Sequence, residues 1–189
     1  MHTHVTASDS RRLAVRGALF DPAAPEPGLL IACATGRRPP LPAAVAVRLR
    51  KVYVDVGKAA WPAELPNYLD EICQAALAPN AGPAGLGLEL LAVCAEEFCG
   101  AGGAHRVTAG RAVELREGLA RRLPQVVALL CEALRRAATS DDVRVCRGRD
   151  AALRCLGTLV SWAPLASHVT PDLLRTLFGM ADSDVAAEQ

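Results

Sequence analysis

The stretch from Val45 to Leu77, VAVRLRKVYVDVGKAAWPAELPNYLDEICQAAL, decides the fold of this chain. Its apolar residues recur at steps of three and four, which predicts two amphipathic helices joined by a corner at Trp61 and Pro62. The first predicted stripe comprises Val45, Leu49, Val52, Tyr53 and Val56, and the second comprises Leu65, Tyr68, Leu69, Ile72, Ala76 and Leu77. Because a hairpin of two helices cannot cover both of its apolar faces, the pattern predicts stacking against a neighbouring pair, as in a helical solenoid.

A similar arrangement recurs near the other end of the chain. A helix is predicted over residues 150–162, and it ends at a second corner formed by Trp162 and Pro164. Thr170 is then predicted to cap a last helix, with Pro171 at its first position. The predicted stripes of these two helices comprise Leu153, Leu156, Leu159 and Val160, followed by Leu173, Leu174, Leu177, Phe178 and Ala181.

Two more helices are predicted between the corners. One covers residues 84–98 after a break at residues 79–83, and the longer one begins near Thr108 and reaches Ala138. The stripe of the longer helix comprises Leu115, Leu119, Leu123, Val126, Val127, Leu130 and Leu134. Residues 139–142 end this pattern, and the arginines that follow are read as a basic loop or a helix start. The sequence therefore predicts an all-α chain, a HEAT/armadillo-like α-solenoid fragment of about three helical pairs.

The density of proline and glycine divides the chain into three parts. Residues 1–40 are predicted to be a poorly ordered arm, because proline and glycine at that density oppose regular packing. Residues 41–182 are predicted to form the repeat segment, and residues 183–189 a tail. No secretory signal or membrane span is recognised, which favours an intracellular protein.

The charge and the cysteines exclude several classes of function. The formal net charge is +1, so no overall field would attract nucleic acid or an anionic membrane, and neither is predicted as a partner. The seven cysteines are odd in number and form no CxxC pair, and the spacing of Cys94 and Cys99 is not that of a zinc site. We therefore predict reduced packing cysteines and no metal or cofactor.

The sequence also gives no catalytic constellation. Glu96 and Glu97 are adjacent on a predicted helix and would point about 100° apart, so a charged rim is predicted rather than an acid–base pair. Ser161 lacks the Gly-x-Ser-x-Gly context of a nucleophile, and His168 is interpreted as a neighbour of a helix cap. No enzyme activity is predicted.

Three segments in the same order resemble the exportins, nuclear transport receptors of the importin-β superfamily. The first is LRKVYVDVGK at residues 49–58, followed by the tryptophan–proline corner. The second is GLELLAVCAEE at residues 87–97, and the third is LGTLVSWAPL at residues 156–165, continuing to VTPDLL at residues 169–174. The third segment is similar to the exportin-6 branch of this family in particular.

The resemblance implies a fold and a function beyond those that the pattern alone predicts. It implies part of a nuclear export receptor that binds the GTPase Ran in its GTP form and a protein cargo, and shuttles between nucleus and cytoplasm through contacts with nuclear pore proteins. Actin–profilin is the cargo that the exportin-6 branch implies. The alternative is a helical-repeat interaction scaffold without transport activity.

Overall fold

The chain forms α-helices throughout the part that the structure, a computed structural model, describes: residues 39, 41–99, 107–140, 142–163, 171 and 173–179. The helices are α1 (Ala43–Ala60), α2 (Tyr68–Ala76), α3 (Ala81–Cys99), α4 (Ala109–Ala138) and α5 (Val143–Trp162), followed by a helical segment at 173–179. The all-α prediction is confirmed. The predicted arm, apart from Pro39, and the predicted tail lie outside the described residues, as does the predicted cap at Thr170.

Helix α3 is the centre of the described fold. It contacts each of the other four helices, most extensively α5 and then α2, while α4 also packs on α5. Leu90, Ala92 and Cys94 on α3 are completely buried, and Phe98 is 1% exposed. The described helices thus pack in pairs, which is the HEAT-like arrangement that the sequence predicted.

Helix α4 follows its sequence prediction closely. It covers Ala109–Ala138, and the hydroxyl of Thr108 accepts a hydrogen bond from the backbone N–H of Arg111 at 3.3 Å, which caps the first turn. Every residue of the predicted stripe is buried, and Pro124 lies inside the helix on its exposed side. Apolar residues that recur with the 3.6-residue period of a helix over thirty positions are a strong signal for an amphipathic helix. No other period fits their spacing.

Three predicted helix starts are wrong by several residues. Helix α2 begins at Tyr68, three residues after Leu65, while α3 begins at Ala81, inside the predicted break. Pro83 is accommodated in the first turn of α3, where its missing N–H has no intrahelical partner to lose. Helix α5 begins at Val143 rather than at residue 150 because the carboxylate of Asp142 accepts a hydrogen bond from the N–H of Arg144 at 2.8 Å.

The buried face of α1 matches the predicted stripe only in part, since Tyr53 and Val56 of that stripe are buried. Val45 and Val52 are 42% and 39% exposed, whereas Val54, on the opposite side of the helix, is completely buried. The helix turns this side inward because it also carries Gly57 and Lys58, which make close contacts with α2 and α3. Among the described helices, none has the length and hydropathy needed to cross a membrane.

Candidate functional site at the tryptophan corner

Trp61 closes the junction of α1 with α3 and α4. Its side chain is 3% exposed, and its ring stacks on that of Phe98 with centroids 5.8 Å apart and planes 15° from parallel. Gly118 of α4 lies against the same ring, where an added Cβ atom would be 2.6 Å from the nearest ring carbon. A glycine is therefore required at this position for α4 to approach the corner. Pro62 is half-buried beside the tryptophan.

A second close approach joins α1 to α2. A Cβ atom on Gly57 would lie 2.3 Å from the ring of Tyr68, so the glycine makes room for the tyrosine. The rings of Tyr53 and Tyr68 stack with centroids 4.9 Å apart, and the Tyr68 hydroxyl donates to the carbonyl oxygen of Tyr53 at 3.3 Å. Burial raises the pKa of Tyr68 well above its ordinary value, so the hydroxyl remains a neutral donor at neutral pH.

An ion pair in the interior fastens α1 to α3. The Nζ atom of Lys58 lies 2.6 Å from a carboxylate oxygen of Glu97, and the lysine side chain is only 4% exposed. Lys51 reaches the other oxygen of Glu97 at 2.5 Å. Burial alone would raise the pKa of Glu97, but hydrogen bonds from Lys51 and Lys58 outweigh it and hold the pKa below its ordinary value. The predicted charged rim is therefore wrong for Glu97, whose carboxylate joins two helices.

Arg111 of α4 binds the end of α1. Its Nε donates to the carbonyl oxygen of Lys58 at 2.8 Å, and its Nη2 donates to the carbonyl oxygen of Trp61. The last carbonyl groups of a helix have no intrahelical donor and form its negative end. A guanidinium therefore stabilises them both by donating hydrogen bonds and by its positive charge. Arg111 also pairs with Glu114 one turn along α4, which orients its side chain.

Sequence reasoning found the tryptophan of this corner but missed the polar residues that surround it. Trp61 and Pro62 lie at the junction where the periodicity places a bend. Lys58, Glu97 and Arg111 converge there from three helices that are far apart in sequence. The adjacency of Lys58 to the corner was a usable signal, whereas nothing in the local sequence distinguishes Arg111 from an exposed arginine.

The second corner is more open. Trp162 is half-buried against the core, and the N–H of Ala163 donates to the carbonyl oxygen of Leu159 at 2.8 Å, which closes α5. Pro164, the other residue predicted for this corner, lies outside the described residues. Leu174 and Phe178 on the following helical segment are 42% and 67% exposed.

The chemistry of the first corner is that of a joint between helices. Burial raises the pKa of Cys94 and of Cys99 to about 12, so both thiols are protonated at neutral pH and are poor nucleophiles. Within the described part of the chain, no three His, Cys, Asp or Glu side chains converge as they would on a metal ion. The polar groups instead bind one another or helix carbonyls, and thereby fix how one helical pair meets the next.

Comparison with known proteins identifies the family. Residues 42–189 match the family described as exportin 1-like proteins, and the chain belongs to that family. It is 29% identical to exportin-6-B and exportin-6-A of Xenopus laevis over 184 residues and to exportin-6 of Danio rerio over 170 residues. Each alignment covers 75% of this chain but 16% of the Xenopus proteins and 15% of the Danio protein, so the chain spans a small part of their length. No solved structure matches it significantly.

Proposed function

We propose that this exportin 1-like chain forms part of a nuclear export receptor that binds Ran in its GTP form and carries a protein cargo from nucleus to cytoplasm. The family match across residues 42–189 is the observation that carries the proposal. By the resemblance to exportin-6, the proposed cargo is actin–profilin, and the proposed route through the pore involves nuclear pore proteins. The chain would then be found in both nucleus and cytoplasm.

The physical properties of the described fold suit a binding segment. The described helices pack directly on one another, and the stacking of Trp61 on Phe98 joins the end of α1 to α3. Salt bridges between helices add to this: Arg122 of α4 pairs with Asp70 of α2 at 2.9 Å, and Arg154 of α5 pairs with Glu96 of α3 at 3.0 Å. Recognition of a large protein partner requires such a fixed surface and no catalytic group.

A scaffold without transport activity is the alternative. It would require only the packed helices that the described residues form, without binding of Ran or of a cargo.

Retention of Ran distinguishes the two. The full chain, immobilised through a terminal tag, is incubated with Ran locked in its GTP form or loaded with GDP, with and without actin–profilin. The transport proposal predicts retention of the GTP form only, and retention of actin–profilin that depends on it. Equal retention of both nucleotide forms, or of neither, would leave the scaffold as the function of this chain.

A variant that opens the corner serves as the structural control. Gly118→Leu places a side chain where the ring of Trp61 lies, so it should alter the angle between helical pairs without changing any charge. If Ran binds the folded array, this variant loses retention, while Gly157→Leu, whose added atoms meet nothing within 4 Å of its Cβ position, retains it.

A further inference from the structure

A small groove lies at one end of the described fold, away from the tryptophan corner. It has a volume of about 190 Å³ and is lined by the start of α3, the end of α4 and the first turns of α5. Ala84, Gly85 and Leu88 form the α3 side, while Val145 and Gly148 form the α5 side. These side chains are small and apolar, so this part of the groove offers contact to a carbon side chain, and Ser140 is an uncharged polar residue in the described lining.

Arginines border this apolar floor. Arg136, Arg144 and Arg149 line the groove, and no aspartate or glutamate is among the lining residues that the structure describes. Two of the three have an acidic neighbour: Arg136 pairs with Glu132 at 2.9 Å, and the Nε of Arg149 lies 3.9 Å from Asp150.

Arg144 differs from the other two in its surroundings. Its side chain is exposed, and it forms no ion pair within the described residues. The carboxylate of Asp142, two residues before it, accepts a hydrogen bond from its backbone N–H and caps α5. The side chain of Arg144 is therefore exposed at the edge of the groove and has no ion-pair partner among the described residues.

We propose that this groove binds an acidic segment of a partner protein, which inserts one aliphatic side chain into the floor and places carboxylates against the arginines. A cavity of roughly 150 Å³ accommodates a benzene molecule, so the groove has room for a leucine or valine side chain. Guanidinium groups bind carboxylates through paired, charge-assisted hydrogen bonds, which would fix the segment on both sides of the inserted residue. The proposal concerns a surface remote from the corner and holds whether or not the chain transports cargo.

A peptide fits these features better than a nucleic acid does. Single-stranded nucleic acids bind through basic grooves whose aromatic side chains stack on the bases, and the groove has no aromatic residue in its lining. The near-neutral net charge of +1 also provides no extended field for a phosphate backbone. The apolar floor of the groove instead favours contact with an aliphatic side chain of a peptide.

The test measures binding of a defined peptide to the full chain. A fluorescein-labelled peptide with a central leucine flanked by glutamates is titrated by fluorescence anisotropy, beside one peptide with glycine at the centre and another with glutamines in place of the glutamates. Gly85→Leu should fill the groove, since an added Cβ there has only the Arg144 carbonyl oxygen nearby at 3.8 Å. Gly157→Leu is its matched control on an open face of α5. Arg144→Gln is paired with Arg147→Gln, which removes an exposed charge of the same helix outside the groove lining.

The proposal predicts that the leucine–glutamate peptide binds and that each altered peptide binds about tenfold more weakly. Gly85→Leu and Arg144→Gln should each weaken binding by about tenfold while Gly157→Leu and Arg147→Gln leave it within about twofold. Absence of binding, equal effects of the paired variants, or equally tight binding of a single-stranded oligonucleotide of the same charge would overturn it. So would dimerisation of the chain that Gly85→Leu abolishes, because a second copy would then occupy the groove.

Discussion

The two tryptophan corners have similar sequences but different surroundings. Trp61 is 3% exposed, stacked on Phe98 and pressed against Gly118, whereas Trp162 is half-buried and the segment after it exposes Phe178 by 67%. The first corner lies between α1 and the helices of the next pair. The second has no further pair beside it within the described residues. A tryptophan–proline signature therefore specifies a bend, while the burial of that bend depends on the adjoining pair.

Alanine substitution at each corner should give the largest difference between them. Trp61→Ala removes a fully packed ring and leaves a cavity beside Phe98, so we expect a loss of about 3–5 kcal/mol in the free energy of unfolding. Trp162→Ala removes a half-solvated ring and should cost about 1–2 kcal/mol, since less apolar area returns to water. Urea unfolding followed by circular dichroism measures both. Equal losses would mean that the two corners are equally closed.

Glycine substitutions next test how closely α4 approaches the ring of Trp61. Gly118→Ala should destabilise the fold by about 1–3 kcal/mol, because the added methyl group would lie 2.6 Å from the ring of Trp61. Gly157→Ala, near the open corner, meets nothing within 4 Å and should stabilise α5 by up to about 1 kcal/mol through its helix propensity. Thermal unfolding of the two variants against the unchanged chain measures the difference. A neutral Gly118→Ala would contradict the packing of α4 on the corner.

Substitution of Lys58 or Lys51 alone should then show how much each lysine contributes to stability through its ion pair with Glu97. Lys58→Met removes the buried partner of the half-buried Glu97 carboxylate, and we expect a loss of about 1–3 kcal/mol in the free energy of unfolding. Lys51→Met removes a more exposed partner of the same carboxylate and should cost less than about 1 kcal/mol. Chemical unfolding at neutral pH compares the two. A larger effect for Lys51 would reverse the assignment of the interior contact.

The smallest predicted effect is on the pH dependence of stability. The pKa of Glu97 in the folded chain lies below its ordinary value of 4.5, so the ionised carboxylate stabilises the fold above that pH. The contribution should disappear as the pH falls through the lowered folded-state pKa. Glu97→Gln should therefore show a shallower loss of stability between neutral and acidic pH than the unchanged chain. Glu117→Gln, an exposed residue of α4, is the control that should leave the slope unchanged.

The sequence predicted the helices better than it predicted their faces. Every residue predicted for the stripe of α4 is buried, because a long helix buried on one side repeats one period many times. The stripe of α1 was predicted correctly at Tyr53 and Val56 but wrongly at Val45 and Val52, since an apolar valine was favoured over glycine and lysine for the buried side. Periodicity cannot show that a helix turns its glycine inward to admit Tyr68, because that choice is made by a residue on another helix.

The polar contacts of the corner were beyond sequence reasoning for the same physical reason. Lys58 and Glu97 are separated by 39 positions, and Arg111 reaches the carbonyl of Lys58 from 53 positions away. Each of these residues is typical of a solvated helix face when it is considered alone. Only the packing of α1, α3 and α4 brings their charges together, so the tryptophan could be placed from the sequence and its partners could not.

The difference between the corners can be measured directly, since the chain has only two tryptophans. In a Trp162→Phe variant the fluorescence comes from Trp61 alone, and in a Trp61→Phe variant it comes from Trp162 alone. If each helical pair covers the apolar face of the pair before it, Trp61 is shielded from water and Trp162 is not. The emission of Trp61 should then be blue-shifted and resistant to acrylamide, and acrylamide should quench Trp162 several-fold more strongly. Quenching of Trp61 as strong as that of Trp162, in a variant that retains its helical circular dichroism, would contradict the stacked-pair fold.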